Sequence, residues 1–176
     1  MNVAEWIAQE LINRGVKYVF TLQGGYSMYL NDAIGHSALT PVYMLTESGA
    51  AFAAAGYAQY SGRMGVCVVT SGLAQTNTLS GVASAFSDFL PMMVISGDVR
   101  MELLEKRERG HLRQGGQQDV PIQYIADHVV KHVYIADTAQ KAKVLFDGLW
   151  SRAIAQPRGP VWLDIPIDVQ QEEMPE

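Results

Sequence analysis

Two polar stretches of this chain carry side chains able to do chemistry. In Thr46-Glu47-Ser48-Gly49-Ala50-Ala51, Glu47 follows the apolar run Val42-Tyr43-Met44-Leu45 and opens an Ala-rich segment, so a carboxylate stands where a strand gives way to a helix. The pattern leaves two readings of it open. One is a helix-start acid, answering the positive end of the helix dipole for ~0.3–1 kcal/mol. The other is a carboxylate at the mouth of an α/β sheet, partly buried by Ala50, Ala51 and Phe52, where burial would raise its pKa and the dipole would lower it. The second stretch, Thr70-Ser71-Gly72-Leu73-Ala74-Gln75-Thr76-Asn77, joins a strand to a helix with hydroxyl, amide and glycine residues. It reads as an anion nest or polar rim around a small ligand, or as an ordinary capped turn. It lacks the Gly-Lys-Ser/Thr ending of a P-loop and the three-glycine spacing of a dinucleotide fingerprint.

Other chemistries find less support. His36, His111, His128 and His132 fall in no metal-ligand spacing, and the single Cys67, inside the apolar run Met64 to Thr70, supplies neither a zinc pair nor an intramolecular disulfide. Cys67 reads as a buried core residue rather than a nucleophile. No Gly-x-Ser-x-Gly elbow is present, which argues against an ordinary serine hydrolase.

The elements that must position these residues alternate between helical and strand patterns. Val3, Trp6, Ile7, Leu11 and Ile12 recur at helical spacing, with Gly15 as the cap. Strands are expected at 18–20, 42–45, 65–69, 92–95, 129–135 and 161–165, and helices at about 27–34, 48–60, 75–86 and 138–155. The charged stretch 100–109 reads as a solvated helix face or a loop. Continuous apolar strands separated by helices predict a doubly wound, mainly parallel sheet with helices on both faces, in three layers. Ligands bind outside the carboxyl ends of such strands. The loops Leu22 to Tyr26, Thr46-Glu47 and Thr70 to Asn77 all sit there, and they converge only if their strands are neighbours.

A chain of 176 residues fits one domain, and at this length roughly 70% of the unfolded surface is buried on folding. With 48% apolar and 18% charged residues it reads as well packed. The net charge of −5, with both signs interspersed, gives no nucleic-acid footprint. No segment reaches the ~20 apolar residues of a membrane span. The N-terminus lacks the pattern of a signal peptide, so a cytoplasmic location is expected. Residues 1–169 read as the domain, and the polar, Pro-containing 170–176 as the start of an interdomain linker.

Taken in order, Gly24-Gly25, Thr46-Glu47-Ser48-Gly49-Ala50-Ala51, Gly56-Tyr57-Ala58, Gly65 to Gly72 and Thr76-Asn77 resemble the N-terminal domain of acetolactate-synthase-like thiamine-diphosphate enzymes. Pro91, Ile95-Ser96-Gly97, Gln118, Lys131 and Arg158-Gly159-Pro160-Val161 continue the resemblance over nearly the whole chain. It implies a flavodoxin-like fold that grips the cofactor's aminopyrimidine ring. Glu47 matches the glutamate that hydrogen-bonds the ring's N1′ and acts as acid and base, which lets the ring remove the thiazolium C2 proton before attack on a 2-oxo acid. Gly24, Gly25, Thr70, Leu73 and Asn77 match positions near the pyrimidine. Gln118 matches a glutamine that reaches the reacting centre from the partner subunit.

The chain also departs from the pattern. Gln23 replaces the proline before the glycine pair, Leu73-Ala74 stands for Pro-Gly, and Gln117 replaces a phenylalanine. Leu112 follows His111, so the His-His pair of pyruvate decarboxylases is absent. These changes leave the reaction open between decarboxylation, carboligation and C–C hydrolysis. No Gly-Asp-Gly occurs, so Mg²⁺ and the diphosphate are expected to be held by a domain in a longer chain or by a separate subunit. The isolated chain is accordingly expected to turn over negligibly, and the working form to be a homodimer or tetramer. The alternative is a non-catalytic structural or regulatory domain, because fold does not fix function.

Overall fold

The computed structural model describes residues 1–175. Helix α1 (Val3–Asn13) starts at a capping box, in which Asn2 Oδ1 accepts from the Glu5 N–H and the Glu5 carboxylate accepts from the Asn2 N–H. After it come β1 (Tyr18–Thr21), a 3₁₀ turn (Gly25–Ser27), α2 (Met28–Gly35), β2 (Thr40–Tyr43) and α3 (Glu47–Ser61). Next are β3 (Gly65–Val69), α4 (Leu73–Ser87), β4 (Met92–Asp98), α5 (Met101–Gly110) and the single turn α6 (Ile122–Ile125). The chain continues through β5 (His132–Ile135), α7 (Ala139–Ile154), β6 (Pro160–Pro166) and a second 3₁₀ turn (Val169–Gln171).

All six strands are parallel, in the order β2-β1-β3-β4-β6-β5. The interior strands β3, β4 and β6 are buried throughout, which is why each carries an apolar run. Their side chains alternate between two cores. Val66, Val68, Met93, Ile95, Val161 and Leu163 face α1, α2 and α7 on one side. Cys67, Val69, Met92, Val94 and Trp162 face α3, α4 and α6 on the other. This is the expected three-layer doubly wound architecture.

Small residues let α3 pack closely on α4. A Cβ on Gly81 would lie 2.5 Å from the Ala51 methyl, and Ala50, Ala51, Ala54, Ala55 and Ala58 line the buried side of α3. The close fit puts the first turns of these two helices side by side, where the polar residues are.

Several boundaries differ from expectation. Strand β2 occupies 40–43 rather than 42–45, because Thr40 to Tyr43 pair with Tyr18 to Thr21. Pro41, which has no N–H to donate, is tolerated there because β2 is an edge strand. Leu45 then projects fully into solvent, 98% exposed. Strand β4 runs three residues further than its apolar run, to Asp98, and β5 begins only at His132. Residues 101–110 form a regular helix.

The segment expected to open a linker begins against the domain. Gln170 is buried and donates to the carbonyls of Tyr26 and Ile165, each at 2.8 Å. Glu172 accepts from the Val3 N–H, and the Met174 N–H donates to the Met1 carbonyl. Glu176 of that segment lies outside the described residues.

Candidate active site

Strands β2, β1 and β3 are neighbours, so the three candidate loops leave the same edge of the sheet. After β1 the chain turns to one side to form β2 and returns on the other to form β3. The β1–β3 boundary is therefore a topological switch point, where crevices open in sheets of this kind.

Glu47 is the first residue of α3, yet it does not cap the helix. Thr46 does, its Oγ1 accepting from the Gly49 N–H at 3.0 Å. The half-buried Glu47 carboxylate is thus free to turn toward α4, where Asn77 Nδ2 donates to its Oε2 at 3.2 Å. Among the described residues no protein group donates to Oε1. One oxygen is held by the protein and the other faces outward, an arrangement suited to a nitrogen-bearing ring.

Gly24 and Thr70 close the crevice from the β1 and β3 sides. The Tyr26 N–H donates to Thr70 Oγ1 at 3.1 Å, and a Cβ on Gly24 would lie 2.3 Å from Thr70 Cγ2. The glycine is needed for close approach rather than for unusual dihedrals, since its φ of −160° is plain extended backbone. Gly25 has open space where a Cβ would sit. Leu73, 56% exposed, stands one turn before Asn77 at the head of α4 and offers an apolar contact beside the carboxylate.

Gln118 enters from the segment after α5. Its backbone is left-handed (φ 59°), its side chain is exposed, and its carbonyl lies against Gly72 so closely that a Cβ on Gly72 would sit 1.6 Å from that oxygen. Gly72 itself has φ 68° and ψ −118°, a combination open to glycine and strained for other residues. The structure thus gathers Gly24, Thr70, Leu73, Asn77 and Glu47 at one edge. Gln118 joins them through its backbone contact with Gly72.

Cys67 lies beneath this edge, fully buried. Burial pushes its thiol up strongly, and the charge of Glu47 adds to the effect, so the sulfur is protonated and unsuited to nucleophilic attack.

A polar layer lies deeper still, between α4 and the ends of β4 and β6. Gln75 Oε1 accepts from the Gly72 N–H at 2.9 Å, and Gln75 Nε2 donates to Ser96 Oγ at 3.1 Å and to Asp164 Oδ1 at 2.9 Å. Ser96 Oγ also accepts from Trp162 Nε1 at 2.8 Å and donates to Asp164 Oδ1 at 2.5 Å. Burial, and then the negative charge of Asp98, holds Asp164 well above the usual carboxylate range. Burial likewise raises Asp98, which keeps an N–H bond from Val99 at 2.7 Å. Beyond Asp98 a buried ion pair joins Arg107 of α5 to Asp119, whose Oδ2 accepts from the Gly115 N–H at 3.0 Å.

The sequence reading missed this layer. The available signal was the presence of Ser96, Asp98 and Asp164 in strands buried on both faces, where a polar side chain must find partners.

At the opposite pole a cavity of about 380 Å³ is lined by Arg14, Tyr57, Arg63, Trp150 and Arg158, among others. The carboxyl ends of α1, α3 and α7 lie at it, where positive charge answers their negative dipole ends, and Arg14 is also paired with Glu10 and Asp147. Among the described residues no three His, Cys, Asp or Glu side chains are grouped to hold a metal ion, and no helix is long and apolar enough to cross a membrane.

A family model for "Thiamine pyrophosphate enzyme, N-terminal TPP binding domain" matches residues 1–125, which include all of the edge described above. The chain belongs to this family. It is similar to acetolactate synthase 1, chloroplastic, of Zea mays, at 35% identity over 171 residues, covering 96% of this chain and 25% of that protein. Acetolactate synthase 1, chloroplastic, of Oryza sativa subsp. japonica is 36% identical over 171 residues, with 96% and 25% covered. The acetolactate synthase isozyme 2 large subunit of Escherichia coli (strain K12) is 31% identical over 170 residues, covering 97% of this chain and 30% of that subunit. The chain spans about a quarter of the length of these curated relatives. It corresponds to the family's N-terminal, pyrimidine-binding domain.

Proposed function

We propose that this chain supplies the pyrimidine-binding half of a thiamine-diphosphate enzyme acting on 2-oxo acids, by decarboxylation or acetolactate-synthase-like carboligation. The observation that carries the reading is the Glu47 carboxylate at the switch-point edge, steadied on Oε2 by Asn77 and open on Oε1. The residues present fit an aminopyrimidine. Glu47 offers an acceptor for a ring-nitrogen proton, Leu73 an apolar contact, and Gly24 a wall that Thr70 keeps free of any side chain. When bound, thiamine diphosphate supplies the nucleophilic carbon and the electron sink for cleaving the bond beside the substrate carbonyl. In this reading Glu47 holds and returns the proton at the ring nitrogen, as a positioned general acid and base. Asn77 keeps the carboxylate turned toward the ring, and Gln118 faces the substrate side. Mg²⁺ and the diphosphate are held by a further domain or subunit, and the working assembly is a cytoplasmic homodimer or tetramer.

Glu47→Gln in the assembled enzyme tests the reading. A carboxamide keeps the shape and loses the proton exchange, so turnover is expected to fall by about 10²–10⁴-fold with folding unchanged. Turnover within a few-fold of the parent would leave Glu47 as a helix-start acid and the domain as a structural element.

A further inference from the structure

Gln75 is fully buried, and its amide is bonded on both sides. The carbonyl half acts as a side-chain cap, taking the Gly72 N–H at the start of α4. An ordinary cap needs nothing from the other half. Here the NH₂ group reaches across to the floor of the sheet and donates to Ser96 on β4 and Asp164 on β6, which are register partners.

The floor has little freedom. Trp162 Nε1 and Gln75 Nε2 both donate to Ser96 Oγ, so the hydroxyl proton is directed to Asp164 Oδ1. Asp164 Oδ1 therefore accepts twice, while no N–H or O–H of the described residues donates to the buried Oδ2, and the carboxyl lies within hydrogen-bond reach of Asp98. The loop above is equally constrained, because Gly72 backs onto the Gln118 carbonyl. Asp119, next in the chain, is tied to Arg107.

We infer that Gln75 is a positioning residue: its amide fixes Gly72 to the β4–β6 floor and so sets, through one side chain, both the Thr70–Asn77 loop and the seat of Gln118. This deepens the reading of the edge as a pyrimidine site and names what holds that site in shape. Gln75 touches neither Glu47 nor any ligand surface. Its effect passes through Gly72 to the head of α4, where Leu73 and Asn77 stand.

The test follows amide hydrogen exchange at residues 70–77 and 115–119 of the 176-residue chain, together with a titration by 4-amino-2-methylpyrimidine. In Gln75→Leu, which keeps the volume and loses three hydrogen bonds, the Gly72 and Gln118 regions are expected to exchange about ten- to a hundredfold faster, with α1 and α7 unchanged. Unchanged exchange at Gly72 and Gln118 would overturn the inference.

Gln75→Glu keeps the proposal falsifiable should the leucine variant unfold. Its introduced carboxyl can still accept from Gly72, but it can donate to the floor only when protonated. Protection of both segments is therefore expected near about pH 5 and lost near about pH 8, by more than the parent loses through its own buried carboxyls Asp164 and Asp98. A profile that follows the parent's would overturn the proposal. If both exchange results hold while the pyrimidine perturbs nothing even in the parent, the site assignment fails and the role of Gln75 stands.

Discussion

Two sets of acidic side chains sit at the same end of the same sheet under opposite conditions. Glu47 lies at the rim, half-buried, with one bond from Asn77 and one oxygen open. Asp164 and Asp98 lie near the ends of strands β6 and β4, and both are buried. Burial changes what a carboxyl group can do. The rim carboxylate keeps a free oxygen at the crevice, where the proposed function has it exchange a proton. The sealed pair is spent on Ser96, Gln75 and Val99 and serves to fix geometry. Proximity to the crevice does not by itself make an acid chemical; an unspent oxygen open to the crevice does, and the unpartnered Oδ2 of Asp164 is sealed away from it.

The contrast is sharpest at Gly72, where the two sets meet. Its N–H bonds to the buried layer, while its α-carbon supports the Gln118 carbonyl at the rim. Gly72→Ala puts a methyl 1.6 Å from that oxygen and strains a backbone at φ 68°. A loss of about 3 kcal/mol or more in unfolding free energy is expected. Urea denaturation checks it, and a loss under about 1 kcal/mol would mean that the rim and the floor are not rigidly joined.

How much of this was legible in the sequence follows from the range of the interactions. The rim residues sit at strand–helix junctions, and Glu47, Thr70 and Asn77 announce themselves as polar residues after apolar runs. Continuous apolar strands separated by helices likewise forecast two-sided burial, and hence the three layers. Strand order is another matter, because β2-β1-β3 adjacency is set by pairings such as Phe20 with Cys67 that no local pattern encodes. The buried layer is harder still. Gln75 meets Asp164 across 89 positions and Ser96 meets it across 68, so a single sequence shows only stray polar residues in apolar strands. The edge of β2 shifted for a similar reason: its register with β1, rather than its own hydrophobicity, sets where it ends.

A smaller effect separates the two sets by pH. Burial and the charge of Asp98 raise the Asp164 carboxyl above its unfolded value, so the native state holds a proton that the unfolded chain releases above about pH 4. The stabilisation from this group is complete below that point and is lost as pH rises through the folded value. Asp164→Asn keeps an oxygen for Gln75 and Ser96, supplies an N–H toward Asp98 and has no proton to lose. Its stability relative to the parent is expected to improve steadily as pH rises from about 5 to about 8. Urea midpoints across that range check it, and a constant difference would mean that Asp164 is not the sealed, neutral partner.

The most direct test of the account asks which end of the sheet receives the ring. The chain, labelled for residue-resolved NMR, is titrated with 4-amino-2-methylpyrimidine, and Glu47→Gln is run in parallel. The account predicts shifts confined to Gly24, Glu47, Thr70, Leu73 and Asn77, and their loss in the variant. Shifts at the cavity around Arg63 and Trp150, or rim shifts of equal size in Glu47→Gln, would contradict it.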